Sequence, residues 1–293
     1  MTRLARLCFV PLALAAAAGV AAAGPLGNGG PSPGIAVGLA GVPAPDGTVR
    51  FVALPAGGDT AVAAVGMRGG RVVRFRSIPG NYGVPLVAYD GSAGGLSVDG
   101  KTLVLATNAP PSAPGAITSF AVLAAKTLEL RNVVRLRGSW SFDALSPNGS
   151  TLYLIQYLAS QSPRYQVRAY DLAAGSLLAT PIVDKRERDE QMQGYPLTRA
   201  TSRDGGWVYT LYRTDVGQPF IHALDTRHRA AVCIDLPWEQ HQNGLDSVRI
   251  AFGNGGTQLV LSQHRRGTLA VVDTRTFTVR ALAAPAGPGD VVG

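Results

Sequence analysis

The chain is 293 residues long, 46% hydrophobic and only 16% charged, with 36 glycines and 20 prolines. That length allows a sizeable core, and so much Gly and Pro between short apolar runs favours an all-β class over a helical one. The formal charge of +8 rests on arginine, since Lys101, Lys126 and Lys185 are the only lysines. It is dispersed along the sequence, so nucleic acid is not an expected partner.

The first 23 residues have the layout of a secretory signal. Arg3 and Arg6 precede an apolar run from Leu7 to Val20, and Ala21-Ala22-Ala23 offers a small-residue cleavage site before Gly24. Cleavage near Ala23 would leave an extracytoplasmic protein of charge +6 without a membrane span; retention as an anchor is the alternative. Cys233 is then the sole cysteine, so no internal disulfide is possible, and its apolar run Ala230–Leu236 predicts a buried small hydrophobe. The dense charged run Asp184–Glu190 is mixed in sign and reads as a solvated loop.

Residues 24–47 are rich in Gly, Pro and Ala, with one short candidate strand at Ile35–Leu39, and read as a leader. Five similar units follow, aligned on Gly57, Gly100, Gly149, Gly205 and Gly255 at spacings of 43, 49, 56 and 50 residues. The clearest is Ser141–Ile182. In it Phe142–Leu145 forms a short strand A, Ser146-Pro147-Asn148-Gly149 a turn, Thr151–Tyr157 a buried strand B, Gln166–Leu172 a strand C, and Ser176–Ile182 an outermost strand D. The other B strands are expected at Asp59–Val65, Thr102–Thr107, Trp207–Tyr212 and Thr257–Ser262. Their C strands are expected at Arg71–Phe75, Ala116–Val122, Phe220–Asp225 and Thr268–Asp273. Leu152, Tyr153, Leu154, Val208, Leu211, Leu259 and Leu261 should lie buried between units. A lone unit cannot bury both faces, so the units must stack or close into a ring.

SPNGSTLYLIQ with VRAYDLAAGSLL, and GNGGTQLVLS with GTLAVVDTRTFTV, resemble the repeats of YVTN-type, WD40-like bacterial β-propellers. The resemblance covers roughly residues 48–284 and leaves 285–293 as a tail. It departs at PAGG in the first unit and at GNGG in the last, and the YVTN tetrapeptide is absent. It implies an all-β propeller of four-stranded blades, five in number, or six if 34–47 and the tail supply another. Such propellers host enzymes and pure binding modules alike.

Propeller geometry would put the D–A and B–C connections on one rim, where ligands usually bind. Pro79–Ala93, Arg131–Trp140, Asp184–Tyr195, Pro237–Leu245, Asn108–Gly115, Leu158–Arg164, Arg213–Gln218 and Gln263–Arg266 fall there. Six residues before the aligned glycine stand Asp143, Arg199 and Arg249, expected to converge at the channel as an internal ion cluster or an anion site. Tyr195, Trp238 and Trp140 could form a sugar platform or cap the core. His241 and His264, with Glu239 and Asp246, are a divalent-metal candidate whose spacing matches no ligand signature. No cofactor is otherwise expected, and no nucleophile elbow, zinc-protease, EF-hand or Walker motif occurs. The reading is a secreted, monomeric binding module for a small molecule, glycan or protein. A lactonase-like or other hydrolase with a metal on that rim is the alternative.

Overall fold

The computed structural model describes residues 32–107, 115–158, 164–184 and 192–287. The signal region, the run 185–190 and most of the loops 108–115 and 158–164 lie outside the described residues. The described residues form strands and two short 3-10 turns.

Five antiparallel sheets follow one another along the chain. Sheet 1 joins β2 (Gly41–Pro43), β3 (Val49–Ala56), β4 (Asp59–Gly66) and β5 (Val72–Pro79) in that order. Ahead of it, β1 (Ile35–Ala36) pairs with β6 (Val84–Pro85). Sheet 2 contains β7 (Thr102–Ala106), β8 (Ile117–Ala124) and β9 (Glu129–Arg137), and its innermost strand is reduced to a bridge between Leu96 and Leu103. Sheet 3 comprises β10 (Trp140–Leu145), β11 (Thr151–Tyr157), β12 (Arg164–Asp171) and a two-residue β13 (Ser176–Leu177), with β14 (Met192–Gln193) also paired to β12. Sheet 4 holds β15 (Tyr195–Thr201), β16 (Trp207–Arg213), β17 (Phe220–Asp225) and β18 (Ala230–Asp235). Sheet 5 holds β19 (Val248–Gly253), β20 (Gln258–Gln263), β21 (Gly267–Asp273) and β22 (Val279–Ala281).

The repeat is anchored by one turn. In sheets 1 to 4 a side-chain oxygen accepts a hydrogen bond from the backbone two residues on: Asp46 from Thr48, Asp99 from Lys101, Asn148 from Ser150 and Asp204 from Gly206. The glycine inside each turn takes φ near +68°, at Gly47, Gly100, Gly149 and Gly205, a conformation most L-residues avoid. The structure thereby corrects the first unit. Its anchor is Gly47 in Pro45-Asp46-Gly47, whereas Gly57 and Gly58 close the β3–β4 hairpin. The expected B strand Asp59–Val65 is the third strand of its sheet, and the expected C strand is the outermost, β5. Sheet 1 therefore begins inside the segment expected as a leader. In the other four sheets the expected B and C strands fall within about two residues of β7, β8, β11, β12, β16, β17, β20 and β21. The Arg131–Trp140 stretch, expected as a rim loop, is largely strand β9.

Packing follows the alternation of strand side chains. Separate buried clusters join sheets 1 and 2, 2 and 3, 3 and 4, and 4 and 5. All seven residues expected in the core are at most 4% exposed. The opposite face of sheet 1 carries only a small cluster of its own residues, Val52, Ala63 and Val65, and no core among the described residues joins it to sheet 5.

The inner strands of sheets 1 to 4 line one cavity of about 520 Å³, with Pro43, Ser97, Asp143, Arg199 and Thr201 among its lining residues. Val87 and Ala93 of a hairpin, Leu86–Ala93, also line it, and the hairpin is tightened by the Asp90 carboxylate accepting from the Ser92 backbone. The hairpin precedes sheet 2, yet the backbone N–H groups of Tyr89 and Asp90 donate to the carbonyls of Pro196 and Leu197 in sheet 4 at 2.9 and 3.1 Å.

Candidate functional site

Two β-bulges shape the inner wall. An extra residue interrupts the ladder of β10 at Asp143 and that of β15 at Leu197. A bulge re-aims the residue it inserts and frees local backbone groups. In β15 it presents the carbonyls that take the hairpin. In β10 it turns Asp143 inward, where its side chain is 2% exposed.

Arg199, from the neighbouring sheet, meets it there. Its Nη2 donates to Asp143 Oδ1, its Nη1 to the Asp143 carbonyl, and its Nε to Thr210 Oγ1 at 2.9 Å. The guanidinium is thus occupied by internal partners, which makes the pair a structural tie between sheets 3 and 4. Arg249 does not join them. It is exposed and donates to the carbonyls of Asp246 and Val248. Arg199 pairs with Thr210 on the face shared with Val208, which packs toward sheet 3, whereas Arg249 pairs with Ser262 on the face opposite Leu259 and Leu261, which pack toward sheet 4, so equal spacing from the glycine does not give an equivalent side chain.

Behind this pair lies a wall of buried polar groups that sequence reasoning did not assemble. Tyr165 and Tyr212 stack with centroids 5.4 Å apart, and Tyr212 meets His222 edge-on at 6.4 Å. Asp143 Oδ2, both tyrosine hydroxyls and His222 Nε2 are buried without a hydrogen bond of ordinary geometry. Burial pushes the His222 imidazole down to about 4, with the Arg199 charge adding and the Asp143 charge opposing. Burial likewise lifts both tyrosines well above their ordinary range. His222 and the two tyrosines are neutral at physiological pH. The signal in the sequence was weak, since aromatic residues on β strands ordinarily mean core.

The rim gathers a different set. Arg213, at the end of β16, lies over the Tyr195 ring at 5.6 Å and pairs with Asp246 at 3.2 Å. Tyr89 adjoins them, its hydroxyl pushed up to about 12 by burial. Trp238 is 3% exposed, belongs to the core of sheets 4 and 5, and donates its indole N–H to the Ala283 carbonyl. It pins the chain end and offers no open platform. Trp140 is likewise buried, its indole held by the Arg137 carbonyl. His241, His264 and Glu239 are exposed, and Asp246 is engaged by Arg213. Among the described residues no three His, Cys, Asp or Glu side chains come together as a metal-binding group.

An open cleft of about 640 Å³ lies beside this group, between the edges of sheets 3 and 4. Met192 and Phe220 give it apolar surface; Gln193, Gln218 and Asp235 give it polar atoms. Cys233 also lines it. The thiol is half-buried rather than buried, because β18 is the outermost strand of its sheet.

The fold defines an all-β protein of repeated, mostly four-stranded antiparallel sheets packed face to face in chain order. No family model matches the chain, and no curated protein matches it; the YVTN likeness therefore stays a resemblance. Among solved structures, it is similar to a functionally unknown protein from Desulfotomaculum acetoxidans, with 12% identity, TM-score 0.50, and coverage of 86% of this chain and 68% of that one. The Dos1 propeller gives 12% identity and TM-score 0.48, over 83% of this chain and 56% of that one. The β-propeller domain of Swd1 from Myceliophteria thermophila gives 12% and 0.46, over 88% and 71%. At such identities the likeness concerns the fold alone. No helix among the described residues is long and apolar enough to cross a membrane.

Proposed function

We propose that the chain is an exported five-bladed β-propeller that acts as a non-catalytic binding module through its rim loops. The observation that carries this reading is the cleft between sheets 3 and 4. It is built from Met192, Gln193 and the rim connection 214–218, and it combines the apolar surface of Met192 and Phe220 with the polar side chains of Gln193, Gln218 and Asp235, the usual make-up of a ligand site. A metal-dependent hydrolase is disfavoured because His241, His264, Glu239 and Asp246 do not come together as a metal-binding group among the described residues. The Asp143–Arg199 pair holds sheets together in this reading and does not contact ligand.

The test is a thermal-shift and NMR screen of the purified protein with small molecules and soluble glycans. A binder whose effect is lost in Val216→Arg or Gln193→Ala, with unchanged melting of the free protein, supports the cleft. A binder unaffected by both substitutions, or turnover of any compound in the panel, overturns it.

A further inference from the structure

The outer edges of sheets 1 and 2 bring together charges that are dispersed in the sequence. On β5, Arg76 pairs with Val62 and Arg74 with Ala64. Val62 and Ala64 belong to the core between sheets 1 and 2, so both arginines stand on the face of β5 that looks toward sheet 2. On β9, Val133 pairs with Ala121 of the same core, and Arg135 and Arg137 follow it at alternate positions. They look back toward sheet 1. Four exposed arginines therefore flank one outer groove, with buried Ile78 and Tyr82 at its base. Among the described residues none of the four is in an ion pair. The one acidic residue on these two strands is Glu129, at the far end of β9.

The other face of β5 carries Val72, Phe75 and Ser77, with a bulge at Val73 between the first two. Phe75 is 72% exposed and Val72 53%; they pair with Ala63 and Val65 on the face of sheet 1 that has no neighbouring sheet. β5 is an eight-residue edge strand, and an edge strand has a row of backbone donors and acceptors turned outward. Arginines there repel a second copy laid against the same edge, which is one use of edge charge. The same charges favour an acidic strand.

We propose that β5, with the arginines of β9 opposite, docks an extended acidic segment of a partner polypeptide that adds to sheet 1 as a further strand. Its register follows from the two faces of β5. Alternate side chains of the added strand are carboxylates toward Arg74, Arg76, Arg135 and Arg137. The intervening one is apolar, against Phe75, and the alternation runs as far as the bulge at Val73. A strand meets both faces in alternation, whereas a lipid surface or a nucleic acid would engage the charges without needing the ladder. This site is distinct from the rim cleft and stands or falls without it.

The probe is a capped, fluorescein-labelled peptide of alternating Glu and Val, titrated with the full chain and read by anisotropy. Binding should weaken by about tenfold or more in Arg74→Glu/Arg76→Glu and in Phe75→Asp. The charge-reversed variant should instead take up the matching Lys–Val peptide. All these positions are exposed, and melting curves of the variants check that the fold persists. Methylating alternate backbone nitrogens of the Glu–Val peptide leaves its charge but removes ladder donors, and should cost as much as the charge reversal. Equal affinity for the methylated peptide, or preferential binding to heparin, single-stranded DNA or vesicles containing phosphatidylglycerol, would overturn the proposal, as would no binding of the peptide.

Discussion

Arg199 grips Asp143 by side chain and main chain together, reaching the carboxylate with one guanidinium nitrogen and the carbonyl of the same residue with another. Both side chains are at most 7% exposed. Removing one partner of such a pair leaves an uncompensated buried charge, so Arg199→Leu should cost about 3–5 kcal/mol. Arg249→Leu, which removes an exposed side chain, should change stability by less than about 0.5 kcal/mol. Urea denaturation of the two variants measures the difference, and equal effects would contradict the assignment of Arg199 as the tie.

His222 predicts a pH dependence of stability. Its folded value of about 4 lies below the ordinary 6.5, so between these values the unfolded chain binds a proton that the fold refuses. Stability from this group is complete above about pH 6.5, falls as pH drops towards 4, and levels off below. The loss is on the order of 3 kcal/mol. His222→Phe should flatten this part of the stability–pH curve, and an unchanged slope would mean that another group titrates there.

The sequence made the repeat legible where local chemistry forced it. Pro147-Asn148-Gly149 and Asp204-Gly205 announce their turns because a short polar side chain and a left-handed glycine are both required. Gly57-Gly58 misled for the same reason: a hairpin glycine and a repeat glycine look alike until pairing is known, and Pro45-Asp46-Gly47 was passed over inside a Gly- and Pro-rich stretch. Asp143 and Arg199 were found by spacing, but Arg249 was not separable from them, since the face a strand residue takes is set by the ladder register and not by its distance from a glycine. The tyrosine–histidine wall and the arginine groove each draw on strands distant in sequence, so no local pattern marks them.

Gly149 and Gly255 allow a paired comparison. At Gly149 an added Cβ would lie 2.5 Å from Thr102 Oγ1, whereas at Gly255 nothing lies within 4 Å. Both have positive φ, near +68° and +64°, and that conformation alone costs a larger residue about 1–2 kcal/mol. Gly149→Ala should therefore lower the melting temperature clearly more than Gly255→Ala.

Leu154, fully buried in β11, tests the packing between sheets 2 and 3. Leu154→Ala should cost about 2–5 kcal/mol in reversible denaturation. A change within about 0.5 kcal/mol would place that side chain outside the core.

The hairpin Leu86–Ala93 alters how the array can come apart. Units that touch only their neighbours can be trimmed one at a time, each loss felt locally. Here the amides of Tyr89 and Asp90 depend on carbonyls of β15, two sheets further along the chain. Deleting sheets 4 and 5 would strand those donors far upstream. The strut makes the early repeats answerable to the late ones, so shortened versions of this chain should not behave as smaller copies of it.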